Sequence, residues 1–132
     1  EVISKSSTPL LMDGSIDSRY TNAMIQSCET NGAYFVYCPG VALAHADPKD
    51  GVHFFGLSLL RLKNPVCFGH DKNDPVSWCI CMAVPRQNEH IQDVFTLMDL
   101  LGDPVYRARM AQIPNRKELL SFIKNIISGG IL

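Results

Sequence analysis

Long apolar runs are absent from the sequence, and so is any strong excess of charge of one sign. The longest strictly apolar run, Trp78 to Val84, is far shorter than the roughly 20 residues that a membrane-spanning helix needs. The 12 basic and 13 acidic side chains give a net charge of -1, whereas a dedicated nucleic-acid surface normally shows clustered Lys and Arg. Residues 1–8 contain neither a basic region nor an apolar stretch, so no secretory signal peptide is predicted there. We therefore expect no membrane insertion and no direct binding of nucleic acid.

Motifs that identify several large enzyme classes are also missing. The sequence contains no GxSxG nucleophile elbow, no P-loop and no dinucleotide-binding fingerprint. Its 132 residues, of which 46% are hydrophobic and 19% charged, have the composition of an ordinary globular protein without repeats or linkers. A chain of this length buries roughly two-thirds of its unfolded surface on folding. We therefore expect residues 1–132 to form a single domain that needs neither a metal nor a disulfide to fold.

The five cysteines do not have the pattern of a disulfide framework, because their number is odd and most lie in apolar segments. Cys79 and Cys81 have the spacing of half a metal site, but no second Cys or His pair follows at ligand spacing. On a strand these two thiols share one face, so we interpret them as core side chains. We expect no metal, no other cofactor, and a reducing compartment, namely the cytoplasm.

The hydrophobic periodicity predicts helices at both ends of the chain and strands between them. Strand patterns cover residues 33–38, 54–62 and 77–84, with a short apolar stretch at 41–43 and a loop at 63–76. Helical patterns cover residues 2–12 and 17–29, and others begin near Asn88, Asp103 and Asn115. On the helix that begins near Asn88, a stripe is predicted to be buried: Ile91, Val94, Phe95, Met98 and Leu101. These patterns predict an α/β fold in which a sheet is sandwiched between helices.

Among the four histidines, His45 and His90 have the contexts most typical of a functional site. His45 directly follows an apolar, strand-like stretch and lies in a loop rich in Pro, Gly and Asp. His90 lies in the first turn of a predicted helix, where backbone N–H groups and the helix dipole favour an anion. Neutral imidazole is a nucleophile near pH 7, so this pair suits a phosphoryl carrier.

The other two histidines have weaker contexts, and an isolated loop histidine is more often an ordinary surface residue. His53 borders a strand and carries no further signal. His70 stands near three polar side chains that could suggest a metal site: Asp71, Asn73 and Asp74. This cluster lacks the Gly and the terminal Glu of a calcium loop, so a solvated turn is the favoured interpretation.

Several segments resemble the active-site region and flanking motifs of one bacterial family. They are Gly32-Ala-Tyr-Phe-Val, Pro39 to Val52 with His45 inside it, Gly56-Leu-Ser-Leu-Leu, Phe68 to Val76, and Asn88-Glu-His90. In this order they resemble enzyme IIA of the sugar phosphotransferase system, of the mannitol/fructose type and closest to its ascorbate branch. The resemblance covers almost the whole chain.

The resemblance implies a phosphohistidine carrier with a mixed sheet flanked by helices. Family members accept a phosphoryl group from the phosphocarrier protein HPr and pass it to a IIB partner. The matching residues are His45 as acceptor and His90 as the assisting histidine. Transfer between two histidines needs no metal or cofactor. The family's usual first strand precedes the first helix and has no counterpart here, so we expect a larger polypeptide upstream.

Two positions depart from the family pattern. The family has proline before the active histidine and arginine two residues after it, where this chain has Ala44 and Asp47. An anion in place of a cation would repel a phosphoryl group on His45, and backbone amides together with His90 would then have to hold it. Around the histidine, four apolar residues could form either a partner-docking rim or core: Val41, Leu43, Phe54 and Phe55.

Three functions remain open at this point. The first is a IIA domain or subunit of a sugar transporter, and the second is a IIA-like regulatory domain of a sugar-operon transcription regulator or antiterminator. The third is a degenerate docking module without phosphotransfer. The first two share a fold, a site and a chemistry.

Overall fold

A computed structural model describes residues 2–32, 35–85 and 91–127. The chain divides into two compact units, Glu1–Glu89 and His90–Leu132. The expectation that residues 1–132 form a single domain stays a prediction. No helix among the described residues is both long and apolar enough to cross a membrane.

The first unit contains a four-stranded mixed sheet together with two helices. Its helices are α1 (Val2–Met12) and α2 (Ser18–Asn31), and its strands are β1 (Val36–Cys38), β2 (Val41–Ala44), β3 (Gly56–Val66) and β4 (Val76–Ala83). The strand order is β1-β2-β4-β3, in which β2 and β4 are parallel and the other two pairs are antiparallel. Helix α1 packs against β3 and β4. The predicted α/β class with a mixed sheet is confirmed.

The second unit is helical, as the sequence predicts. It consists of α3 (Ile91–Gly102), α4 (Pro104–Ala111) and α5 (Arg116–Ile127). Asp103 caps α4 by accepting from the amide of Val105, and Asn115 caps α5 by accepting from the amide of Glu118. The buried stripe predicted on α3 is wrong at Phe95, which is 49% exposed. Elsewhere in this unit the buried side chains include Leu97, Leu100, Leu101, Met110 and Leu119.

Several strand boundaries differ from the sequence pattern, and the largest difference among the described residues is at the end of β3. Strand β3 runs on to Val66, although residues 63–76 have loop composition. The reason is tertiary, because Val66 pairs with Val76 of β4 after an irregularity in the ladder that follows Arg61. The described part of strand β1 is Val36–Cys38, and residues 33 and 34 of the predicted strand lie outside the described residues.

Strand β4 provides the centre of the core in the first unit. Its pattern of burial, with six of eight residues buried, matches the prediction of a strand covered on both faces. Cys79 and Cys81 are fully buried in the same cluster as Met24, which confirms their interpretation as core side chains. Burial raises the pKa of both thiols, that of Cys81 to about 12, so neither is a ready thiolate.

Candidate functional site

His45 lies immediately beyond β2, at the edge of the sheet where two parallel strands end. Strand β2 is fully buried, and its last residue, Ala44, pairs with Cys81 of β4. In open α/β sheets this edge, beyond the carboxyl ends of parallel strands, is where ligands bind. Ala44 occupies the position that is proline in the family pattern, and here the strand ladder holds it. The half-buried His45 is thus the first residue after a rigid element.

The imidazole of His45 is held in one orientation by two neighbours. Its Nδ1 lies 3.0 Å from the carbonyl oxygen of Leu43, and its ring centroid lies 5.2 Å from that of the buried Phe35 at a tilt of 47°. A carbonyl oxygen can only accept, so in the neutral ring Nδ1 carries the proton and donates it. The lone pair is consequently on Nε2, and Nε2 is the nucleophilic nitrogen of this tautomer.

Several backbone amides in the loop after His45 donate hydrogen bonds to partners within the protein. The amide of Ala46 donates to the Tyr20 hydroxyl at 3.0 Å. Beyond it, the amides of residues 49–52 all donate to Asp47 or Pro48, closing the short 3-10 helix Pro48–Asp50. Each of these five amides thus has a partner within the protein, and the expectation that backbone amides hold the phosphoryl group stays a prediction.

Asp47 has a structural task that the sequence pattern did not reveal. Its Oδ1 accepts from the amide of Lys49 at 3.0 Å, so the exposed carboxylate is the N-cap of the 3-10 helix. Capping residues of this kind stabilise the first turn that follows them. The anion that replaces the family's arginine thus helps to shape the loop next to His45.

The same loop is fastened to the start of α2. Gly51 accepts from the amide of Asp17 at 3.0 Å, and a short bridge joins Ile16 to Val52. Gly51 has φ +133°, and a Cβ atom there would lie 2.7 Å from Asp17 Oδ1, so this contact requires glycine. The backbone around residues 51–52 is therefore set by the first turn of α2.

Asp17 combines three roles at this junction. It caps α2 by accepting from the amide of Arg19, pairs with the Arg19 guanidinium at 2.9 Å, and accepts from Nε2 of His53 at 2.9 Å. The hydrogen bond from the Arg19 side chain is the main reason why the pKa of Asp17 falls to about 2, with the contact to His53 acting in the same direction. His53, which the sequence left without a role, is exposed and contributes to holding the loop.

His70 belongs to a turn, as the sequence analysis favoured. Its Nδ1 accepts from the amides of Lys72 and Asn73, while Asp74 accepts from three amides, those of Phe68, Gly69 and His70. Desolvation acts to raise the pKa of Asp74, but these three donors outweigh it and lower the pKa. Within residues 2–32, 35–85 and 91–127 no three His, Cys, Asp or Glu side chains are grouped to hold a metal ion.

The predicted partner histidine cannot be placed relative to His45. His90 lies outside the described residues, so its assisting role stays a prediction. The contact between Tyr20 and the loop of His45, by contrast, was not predicted from the sequence. Its chemistry could have indicated such a contact, since the hydroxyl of a buried tyrosine needs a hydrogen-bond partner.

The four apolar residues around His45 divide into core and surface. Val41 and Leu43 are buried in β2, which confirms the core interpretation for both. Phe55 is half-buried. Phe54 is 49% exposed, and its ring lies next to Gly14, 3.9 Å from where a Cβ atom of that residue would be. Of the four, Phe54 offers the clearest apolar surface for a partner.

A separate cavity of about 610 Å³ lies between α1, α2 and the end of β3. Cys28, Leu62 and Phe68 are among the residues that line it, and the three histidines that the structure describes, His45, His53 and His70, are not. This cavity is therefore not part of the site around His45.

Comparison with known proteins gives consistent matches over nearly the whole chain. The profile of the family described as "Phosphoenolpyruvate-dependent sugar phosphotransferase system, EIIA 2" matches residues 1–126. The ascorbate-specific EIIA component of the phosphotransferase system of Escherichia coli K12 is 36% identical over 109 residues, which cover 82% of this chain and 71% of that protein.

Two solved structures share the fold. One is the mannitol-specific cryptic phosphotransferase enzyme IIA CmtB of Escherichia coli, with 30% identity, a TM-score of 0.78, and coverage of 98% of this chain and 84% of that one. The other is a IIA protein assigned to the phosphotransferase system, PtxA of Streptococcus mutans, with 27% identity, a TM-score of 0.80, and coverage of 97% and 81%. These similarities extend across the candidate site.

Proposed function

Because the chain belongs to the EIIA type 2 family of the phosphoenolpyruvate-dependent sugar phosphotransferase system, we propose that it is a cytoplasmic phosphocarrier. It accepts a phosphoryl group from HPr on Nε2 of His45 and passes the group to a IIB partner during sugar uptake. The observation that carries this proposal is the hydrogen bond from Nδ1 of His45 to the Leu43 carbonyl, which directs the lone pair to Nε2.

The transfer exchanges one phosphorus–nitrogen bond for another. Nε2 of His45 attacks phosphorus in line, the bond to the donor histidine breaks, and its electron pair returns to the donor nitrogen. As the new bond forms, the ring of His45 gains positive charge, which strengthens the hydrogen bond from Nδ1 to the Leu43 carbonyl. That hydrogen bond therefore stabilises the transition state more than the resting ring, which is what catalysis requires. Positioning supplies most of the remaining rate.

Further parts of the proposal concern the second histidine and the partners. His90 assists His45 by helping to hold the phosphoryl oxygens. Phe54 contributes to the surface on which HPr docks. The curated relatives are ascorbate-specific, so a IIB protein of the ascorbate type is the first acceptor to test.

The decisive experiment is intact-mass analysis after incubation with phosphoenolpyruvate, enzyme I and HPr. Wild type should gain one acid-labile phosphoryl group, His45→Ala none, and His90→Ala should gain it more slowly. His70→Asn is the matched control, because it removes a histidine yet keeps an acceptor for the turn amides. The absence of any gain in wild type, with HPr itself phosphorylated, would refute the acceptor role and leave a docking module.

A second function is favoured by one observation, the anion at position 47. A carboxylate two residues from His45 would weaken phosphorylation, and a regulatory domain of a sugar-operon regulator needs only a phosphorylation state, without onward transfer. Addition of IIB proteins to the phosphorylated chain separates the two functions. Rapid loss of the phosphoryl group to a IIB protein supports the carrier, whereas a stable phosphorylated chain supports the regulator.

A further inference from the structure

The hydroxyl of Tyr20 connects three elements around His45. It accepts from the amide of Ala46 at 3.0 Å and donates to the carbonyl of Met82 at 2.6 Å. Ala46 directly follows His45, and Met82 belongs to β4, the parallel neighbour of β2. Tyr20 itself lies in the first turn of α2 and is only 1% exposed. One buried hydroxyl thus joins α2, the loop of His45 and the end of β4.

The place of this contact is informative. The ladder between β2 and β4 ends at the pair Ala44 and Cys81. Met82 directly follows Cys81, and Ala46 comes two residues after Ala44. The tyrosine hydroxyl therefore links the two segments just beyond the point where backbone pairing between β2 and β4 stops. His45 is therefore held on one side by the ladder and on the other by a side chain.

Core packing alone does not account for a tyrosine here. A phenylalanine would fill the same space, and it would avoid the cost of burying a hydroxyl. The hydroxyl uses its single proton and one lone pair on two backbone groups that flank the site. Its effect is to fix the backbone immediately after the nucleophilic residue.

We infer that Tyr20 is a positioning residue for phosphoryl transfer: its hydroxyl bridges Ala46 and Met82, and thereby keeps the His45 ring in the orientation in which Nδ1 bonds to Leu43. The inference rests on the proposed function for its kinetic consequence. Its structural part concerns only the ring of His45 and is testable without any phosphoryl donor.

The test compares Tyr20→Phe with Thr21→Val. Thr21 is the next residue in the same helix, is also buried, and uses its hydroxyl to bond Ser7 of α1 at 3.1 Å. Both variants thus remove one buried hydroxyl from α2, but only Tyr20→Phe affects the loop of His45. Three quantities are measured: hydrogen exchange of the Ala46 amide, the ¹⁵N shifts of the His45 ring, and the kinetics of transfer from phosphorylated HPr.

For Tyr20→Phe we expect faster exchange at Ala46, a shift of His45 away from the tautomer with the proton on Nδ1, and a transfer rate lower by roughly ten-fold. The KM for HPr should stay at the wild-type value, because the docking surface is unchanged. Thr21→Val should match wild type in all three measurements. A folded Tyr20→Phe with wild-type ring shifts, or an equal loss of rate in Thr21→Val, would overturn the inference.

Two further outcomes keep the inference separate from the proposed function. If wild type accepts no phosphoryl group while Tyr20→Phe still shifts the tautomer, the proposed function fails and the positioning of His45 stands. If Tyr20→Phe does not fold, hydrogen exchange of the Ala46 amide in wild type tests the bridge instead. An amide that is hydrogen-bonded to Tyr20 should exchange at least about ten-fold more slowly than the same amide in an unstructured chain. An unprotected Ala46 amide would refute the bridge.

Discussion

Replacing Asp47 by asparagine should increase the phosphorylation of His45, and salt should reduce the increase. Asparagine keeps an oxygen acceptor for the amide of Lys49, so the cap of the 3-10 helix survives while the negative charge is removed. Asp47→Asn therefore isolates the electrostatic effect of this carboxylate from its structural task.

The size of the effect follows from the position of the carboxylate. Residues 45 and 47 are two apart, so their Cα atoms lie within about 7 Å of each other, and we take this separation as the scale for the distance between the two charges. Because Asp47 is exposed, a dielectric near that of water applies, and the repulsion is about 0.6 kcal/mol per unit charge at that distance. A phosphoryl group carrying nearly two negative charges doubles this to about 1.2 kcal/mol. The equilibrium should shift by about seven-fold at low salt and about two-fold at 0.15 M, where the Debye length is about 8 Å.

The assay is the fraction of phosphorylated chain at equilibrium with HPr, measured by intact mass at two ionic strengths. Asp71→Asn is the matched control, because it removes an exposed carboxylate from a turn that is not in the loop of His45. Asp47→Arg should raise phosphorylation further, but it also removes the cap and should lower the free energy of unfolding by about 0.5–2 kcal/mol. Equal phosphorylation of wild type and Asp47→Asn at low salt, or a gain that salt does not reduce, would refute the electrostatic reasoning.

Four further outcomes follow from the same structure. Gly51→Ala should slow phosphorylation of His45 and destabilise the loop, because a Cβ there meets a carboxylate oxygen at 2.7 Å; wild-type rate and melting temperature would contradict this. Asp17 has a pKa of about 2 against an ordinary 3.8, so its contribution to stability is complete above about pH 4 and is lost as the pH falls towards 2. Asp17→Asn, which keeps the cap, should therefore make the free energy of unfolding, measured by urea titration, less dependent on pH between about 4 and 2. Ile80→Ala, at a fully buried position of β4, should cost about 2–5 kcal/mol in urea unfolding. Phe54→Ala should slow transfer from HPr at unchanged stability, whereas unfolding would assign Phe54 to the core.

Local chemistry accounts for the parts of the structure that were predicted well. The N-caps at Asp103 and Asn115, the buried strand β4 and the core position of Cys79 depend on a few neighbouring residues and their periodicity. The candidate nucleophile was found in the same way, because His45 stands where an apolar strand gives way to a polar loop.

Errors arose where distant contacts decide the outcome. Strand β3 extends into a segment of loop composition because Val66 finds a partner in β4. Phe95 continues an apolar stripe in sequence and is nevertheless half exposed. In both cases the local pattern is compatible with either state, and the tertiary packing determines which one forms.

The sequence by itself predicted the family and fold class of the protein, and it singled out the histidine that we propose as the phosphoryl carrier. It did so because family motifs and hydrophobic periodicity are local properties of the chain. Only the tertiary structure decided which nitrogen of the neutral His45 ring has the free lone pair, that Asp47 caps a 3-10 helix, and that the Tyr20 hydroxyl bonds to the loop. The hydroxyl of Tyr20 reaches partners 26 and 62 residues away. No local pattern specifies such contacts, since they exist only once the sheet has brought the ends of β2 and β4 together.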